Sequence, residues 1–123
     1  MIVSSMDAIK ILKISATILI IDIMWIYFIM GPIFTPMIET IQSSPMTIRT
    51  SGAIVAYLAM IALFYFFVDK NTSDAKALLL GLLAFAVYEG TSYALFTKWN
   101  WKIAVMDVLW GGILFWLTKK IIY

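Results

Sequence analysis

Three acidic residues, Asp22, Glu89 and Asp107, stand inside long apolar runs whose only basic residues, Lys13 and Lys102, lie near the run ends. A charged side chain at the centre of a bilayer costs roughly 2.5–3.5 kcal/mol on insertion scales, so such groups face a protein interior or a wet cavity and mark ion or proton sites. Carboxyl groups close enough to repel one another cannot all ionise; they share a proton or a cation. Their neighbours suit that chemistry. Trp25, Trp110, Tyr88 and Tyr93 offer aromatic faces for cation–π attraction, and Ser92 offers a hydroxyl. The spacing Asp-x-x-Trp occurs twice, as Asp22-Ile23-Met24-Trp25 and Asp107-Val108-Leu109-Trp110. Asp22 and Trp25 share one helix face at that spacing.

The elements that carry these residues follow from hydropathy. The chain has 123 residues, is 63% hydrophobic and only 13% charged. A soluble domain of this size could not hide so much apolar surface, so lipid is its solvent. A hydrocarbon core needs about 20 apolar residues in a helix. Four stretches approach this: about Ile11 to Met30, Thr50 to Val68, Ala77 to Phe96 and Trp101 to Thr118. Lipid offers no partner for open backbone groups, so each span is expected to be helical. The expected fold is all-α: an integral membrane protein of four antiparallel spans, forming one domain over residues 1–123. The first run is read as an uncleaved span, since it carries Asp22 and Trp25 and no clean cleavage site follows it.

Gly31-Pro32 ends the first span in this reading. The connection to Arg49 holds all three prolines. A short interfacial helix is expected to start at Pro36 and to turn Met37, Ile38 and Ile41 to the membrane surface, as a connector or as a lid over the bundle end.

Charge sets the expected orientation. One side carries Lys10, Lys13, Lys70, Lys76, Lys119 and Lys120; the other carries Arg49, Lys98 and Lys102. The positive-inside rule therefore puts both termini in the cytoplasm. Trp99 and Trp101 then read as an outer aromatic belt. Asp22 lies about 12 Å below Met30 at 1.5 Å per residue, and Glu89 and Asp107 fall at similar depths. Acids from three spans are expected to meet in one polar pocket in the outer half of the bilayer. Gly81, Gly90, Gly111 and Gly112, with the stripe Gly52, Ala56 and Ala59, read as close-packing positions.

Several functions are excluded or left without a motif. A net charge of +2 with no long basic patch argues against nucleic acid. The lack of Cys and His removes thiol chemistry, His-ligated haem and almost every zinc pattern. No Gly-rich phosphate loop is present, and no cofactor or metal is identified.

The strings Tyr88-Glu89-Gly90-Thr91-Ser92-Tyr93-Ala94, Lys98-Trp99-x-Trp101-Lys102 and Asp107-x-x-Trp110-Gly111-Gly112 follow Asp22-x-x-Trp25 and Ile41-Gln42-Ser43-Ser44-Pro45 in order. Together they resemble the predicted membrane proteins grouped as domain of unknown function 2177. The resemblance spans nearly the whole chain and implies a four-span membrane protein; it supplies no activity. It sets Ser92 where that family usually has Asn.

Three readings of the acids remain open on the sequence. They bind or pass a proton or cation through Asp22, Glu89 and Asp107. They form a buried hydrogen-bond network that fixes helix register. Or they serve an intramembrane enzyme acting on a lipid or isoprenoid, as acid and base or as ligands of a divalent metal. No nucleophile with a base beside it supports the third, so the enzyme question leans to no. The lipid bilayer is the expected partner, and a bundle of this size can also pair with a second copy.

Overall fold

The computed structural model describes residues 4–123. It is all-helical: α1 (Ser5–Trp25), a π-helical turn (Ile26–Met30), α2 (Gly31–Gln42), α3 (Thr50–Phe67), α4 (Asp74–Leu95) and α5 (Trp101–Ile122). Four of its helical runs are long and apolar enough to cross a membrane: Ser5–Gln42, Thr50–Phe67, Asp74–Leu95 and Trp101–Ile122.

Local chemistry sets the helix starts. Ser4 caps α1 in a reciprocal pair with Asp7, whose backbone N–H donates to Ser4 Oγ at 3.1 Å. Ser73 caps α4, and Asn100 caps α5 by accepting from the Lys102 N–H at 2.8 Å. At the far end of α5, Lys119 and Lys120 donate to the two Asp74 carboxylate oxygens at 2.7 and 2.8 Å, tying that end of α5 to the first turn of α4.

The first span does not stop at Gly31-Pro32. The helix continues into α2, so the expected separate helix starting at Pro36 is absent: α2 begins at Gly31 and Pro36 lies inside it. Pro32 has no N–H to offer the carbonyl four residues back. The chain absorbs that loss by widening into a π turn, in which the Gly31 N–H reaches back to the Ile26 carbonyl. A Cβ on Gly31 would stand 2.6 Å from that oxygen, so the turn requires glycine there. The continuous run of 38 residues is about 57 Å long at 1.5 Å per residue, well beyond a hydrocarbon core of about 30 Å. Its excess is α2, which ends at Ser43 in the left-handed conformation (φ 56°).

Packing runs α3 on α1, α1 on α5 and, most extensively, α5 on α4. The α4–α5 pair is close because glycine faces glycine: a Cβ on Gly81 would collide with the Gly111 carbonyl, and one on Gly111 with the Phe85 ring. The half of the bundle nearer the termini is filled by Ile14, Ile18, Phe64, Val68, Ala77, Leu114 and Phe115, all buried. At the opposite end α2 lays Phe34, Met37, Ile38 and Ile41 against Trp99, Ile103 and Ala104. α2 thus packs on the α4–α5 connection.

Candidate functional site

Asp22 projects from α1, about one turn before the π turn, and is 5% exposed. Tyr57 of α3 donates its hydroxyl to Asp22 Oδ2 at 2.6 Å, and Trp110 of α5 donates its indole N–H to Oδ1 at 2.8 Å. One carboxyl group thus holds three helices together, with both oxygens engaged.

Glu89 and Asp107 sit at matching levels on the antiparallel pair α4 and α5. Glu89 is 1% exposed and accepts from the Trp99 indole N–H at 3.0 Å through Oε1. Its second oxygen, Oε2, is buried without any hydrogen-bond partner among the described residues. The Asp107 and Glu89 carboxyl groups are neighbours across the α4–α5 pair. A carboxylate is acceptor-only, so such a pair bonds only when one member carries a proton. The run that holds Glu89 has no basic residue, and the one that holds Asp107 has only Lys102, at its start.

The two acidic sub-sites are joined by aromatic rings. Trp25 and Trp110 stack in parallel, with centroids 4.5 Å apart and planes 5° from one another. Trp25 points its ring toward Asp107, although its N–H completes no hydrogen bond. The two Asp-x-x-Trp copies are therefore interleaved: the Trp of the second serves the Asp of the first, and the Trp of the first faces the Asp of the second.

Trp99 departs from its expected place in the outer belt. It is 6% exposed and folds inward, because Glu89 offers its N–H a buried acceptor and three rings hold it there. Phe34 meets it edge-on at 5.3 Å, Tyr88 edge-on at 6.2 Å, and Phe96 stacks on it at 5.7 Å. Trp101 does stand exposed.

Of the sequence candidates, Asp22, Glu89, Asp107, Trp25 and Trp110 come together. Ser92 is buried beside them on α4. Tyr88 is half-exposed and touches the cluster through Trp99, while Tyr93 is exposed and lines a groove that leads to Glu89. Two participants were missed. Tyr57 has a signal in hindsight, as the only residue with a polar side-chain atom in the run Gly52–Phe64. Trp99 has none beyond its place next to a turn. Among the described residues no group of three or more Asp or Glu is arranged to hold a metal ion. The acids make two linked sub-sites rather than one three-carboxylate cage.

In comparison with known proteins, a family described as predicted membrane protein, DUF2177, matches residues 8–121. No curated protein and no solved structure matches the chain.

Proposed function

The chain belongs to the DUF2177 family of predicted membrane proteins, and from that premise we propose that it binds a proton or small cation within the bilayer at Glu89 and Asp107. The observation that carries this reading is the buried Glu89 Oε2, without a hydrogen-bond donor among the described residues, set against a second buried carboxyl. Asp22 takes a different part. Its oxygens are both occupied by Tyr57 and Trp110, which suits a strut that fixes the register of α1, α3 and α5. The hydrogen-bond network reading thus applies to Asp22, and the binding reading to the pair.

Binding is favoured over passage. Between the acids and the terminal ends lie Ile14, Ile18, Phe64, Leu114 and Phe115, each 0% exposed. A dry apolar layer of this kind offers a moving charge no replacement for its hydration shell. The positive-inside count orients the site toward the outer leaflet, with both termini in the cytoplasm.

The test uses dicyclohexylcarbodiimide, a membrane-soluble reagent that attacks protonated carboxylic acids. Protein in vesicles is expected to take the label at Glu89 or Asp107, as located by peptide mass spectrometry, and to lose it in a Glu89→Gln, Asp107→Asn variant. The same vesicles, loaded with a pH dye, are expected to conduct protons no faster than empty ones. Absence of label at both residues would overturn the binding reading.

A further inference from the structure

Helices α3 and α4 follow one another in the chain, yet α3 packs on α1 and α4 packs on α5. At the end where the short connection joins them lies a cavity of about 670 Å³, lined from both helices. That volume falls within the ~300–1,000 Å³ range of ligand pockets. Phe67 lines it from the end of α3, and Lys76, Leu79, Leu80 and Leu83 line it from α4. Positions 76, 79, 80 and 83 have the i, i+3, i+4, i+7 spacing of one helix stripe. The stripe grades from a charged head to an apolar run, over about 10 Å at 1.5 Å per residue. Phe67, Leu79 and Leu83 are about half exposed or more, so the bundle leaves this stripe open to the membrane. The connection separates two candidate spans. Its charged residues therefore sit at headgroup level, and the leucines reach into the hydrocarbon. A lipid molecule meets both ends of such a lining at once.

The headgroup class follows from charge. Asp69 and Lys76 both line the cavity, and among the described residues neither forms an ion pair, whereas nearby Asp74 is held by Lys119 and Lys120. The hydrogen bonds that the Asp69 carboxylate accepts, from the Asn71 N–H at 2.8 Å and the Thr72 hydroxyl at 3.3 Å, both end on Oδ1. Oδ2 is left for a ligand. One cation and one anion on a shared wall answer a zwitterion. A purely anionic headgroup would meet Lys76 but be repelled by Asp69. A choline nitrogen carries no hydrogen to donate, whereas a primary ammonium carries three. We propose that this cleft binds a phosphatidylethanolamine molecule from the bilayer, with its phosphate at Lys76, its ammonium at Asp69 and one acyl chain along Leu79, Leu80 and Leu83. The site is independent of the proton-sharing pair: Glu89 lies roughly 20 Å further along α4 at 1.5 Å per residue.

The test is native mass spectrometry of the purified chain, released from micelles that hold equal amounts of dioleoyl phosphatidylethanolamine, phosphatidylcholine and phosphatidylglycerol. One phosphatidylethanolamine per chain is expected to stay bound, about fivefold in excess of either competitor. Lys76→Gln is expected to abolish that excess. Asp69→Asn keeps the oxygen that the Asn71 N–H uses but removes the charge. It is expected to abolish the excess too, and to raise retention of phosphatidylglycerol, since the repulsion is gone. Lys98→Gln, a surface change at the other end of α4, is expected to leave retention unchanged. Asp69 and Lys76 are both exposed, so the variants are expected to keep the wild-type circular dichroism spectrum. Equal retention of the three lipids, a preference of the wild type for phosphatidylglycerol, or an excess of phosphatidylethanolamine that survives either site substitution would overturn the inference.

Discussion

Trp110 donates its indole N–H to Asp22 across the α5–α1 interface at 2.8 Å while its ring lies flat on Trp25, 4.5 Å away. A single side chain thus joins the acid of one Asp-x-x-Trp segment to the indole of the same segment, from the opposite helix.

This hub predicts a stability pattern. Trp110→Phe keeps a stacked ring but removes the donor, and Tyr57→Phe removes only a hydroxyl. Each is expected to cost about 1–2 kcal/mol, the upper end for interhelical hydrogen bonds in membranes, because a buried acceptor is left short. Denaturation in mixed micelles measures the loss. The double variant is expected to lose less than the sum of the two, since both bonds end on one carboxyl group.

The α4–α5 contact predicts a sharper glycine dependence. Gly81→Ala puts a methyl group into the Gly111 carbonyl and is expected to destabilise by about 3 kcal/mol, as backbone rather than a flexible side chain must give way. Gly52→Ala meets no atom within 4 Å and is expected to change stability by less than about 1 kcal/mol. The same micelle assay compares them.

The acids, the two Asp-x-x-Trp copies and the four spans were legible in the sequence because each is a departure from uniform hydropathy. A carboxylate in an oily helix is visible wherever it stands, and depth follows from counting residues. Three features were not legible. Trp99 lies beside a turn, where an interfacial indole is the ordinary expectation; only the tertiary fold shows Glu89 behind it and Phe34 pressing it inward. Tyr57 bonds across helices, and its register against Asp22 depends on packing. The passage of the helix through Gly31-Pro32 looked like a stop, because proline breaks the regular α pattern; the π turn that tolerates it leaves no mark except the glycine that precedes the proline.

Orientation is open to direct labelling, because the chain has no cysteine. Single substitutions at exposed connections serve as reporters: Ser44→Cys between α2 and α3, and Asn71→Cys between α3 and α4. In intact cells a membrane-impermeant maleimide is expected to modify Ser44→Cys and to spare Asn71→Cys until the membrane is opened. The reverse pattern would put the acids in the inner leaflet and remove the topological part of the proposal.

The proton that the proposal places between Glu89 and Asp107 can be sought without any ligand. Infrared spectra of the protein in lipid at neutral pH are predicted to show the C=O stretch of a protonated carboxylic acid. The band is predicted to shift in heavy water, to vanish in both Glu89→Gln and Asp107→Asn, and to persist in Asp22→Asn. A spectrum with no such band, or a band that survives both substitutions, would contradict a proton-sharing pair at the centre of this protein.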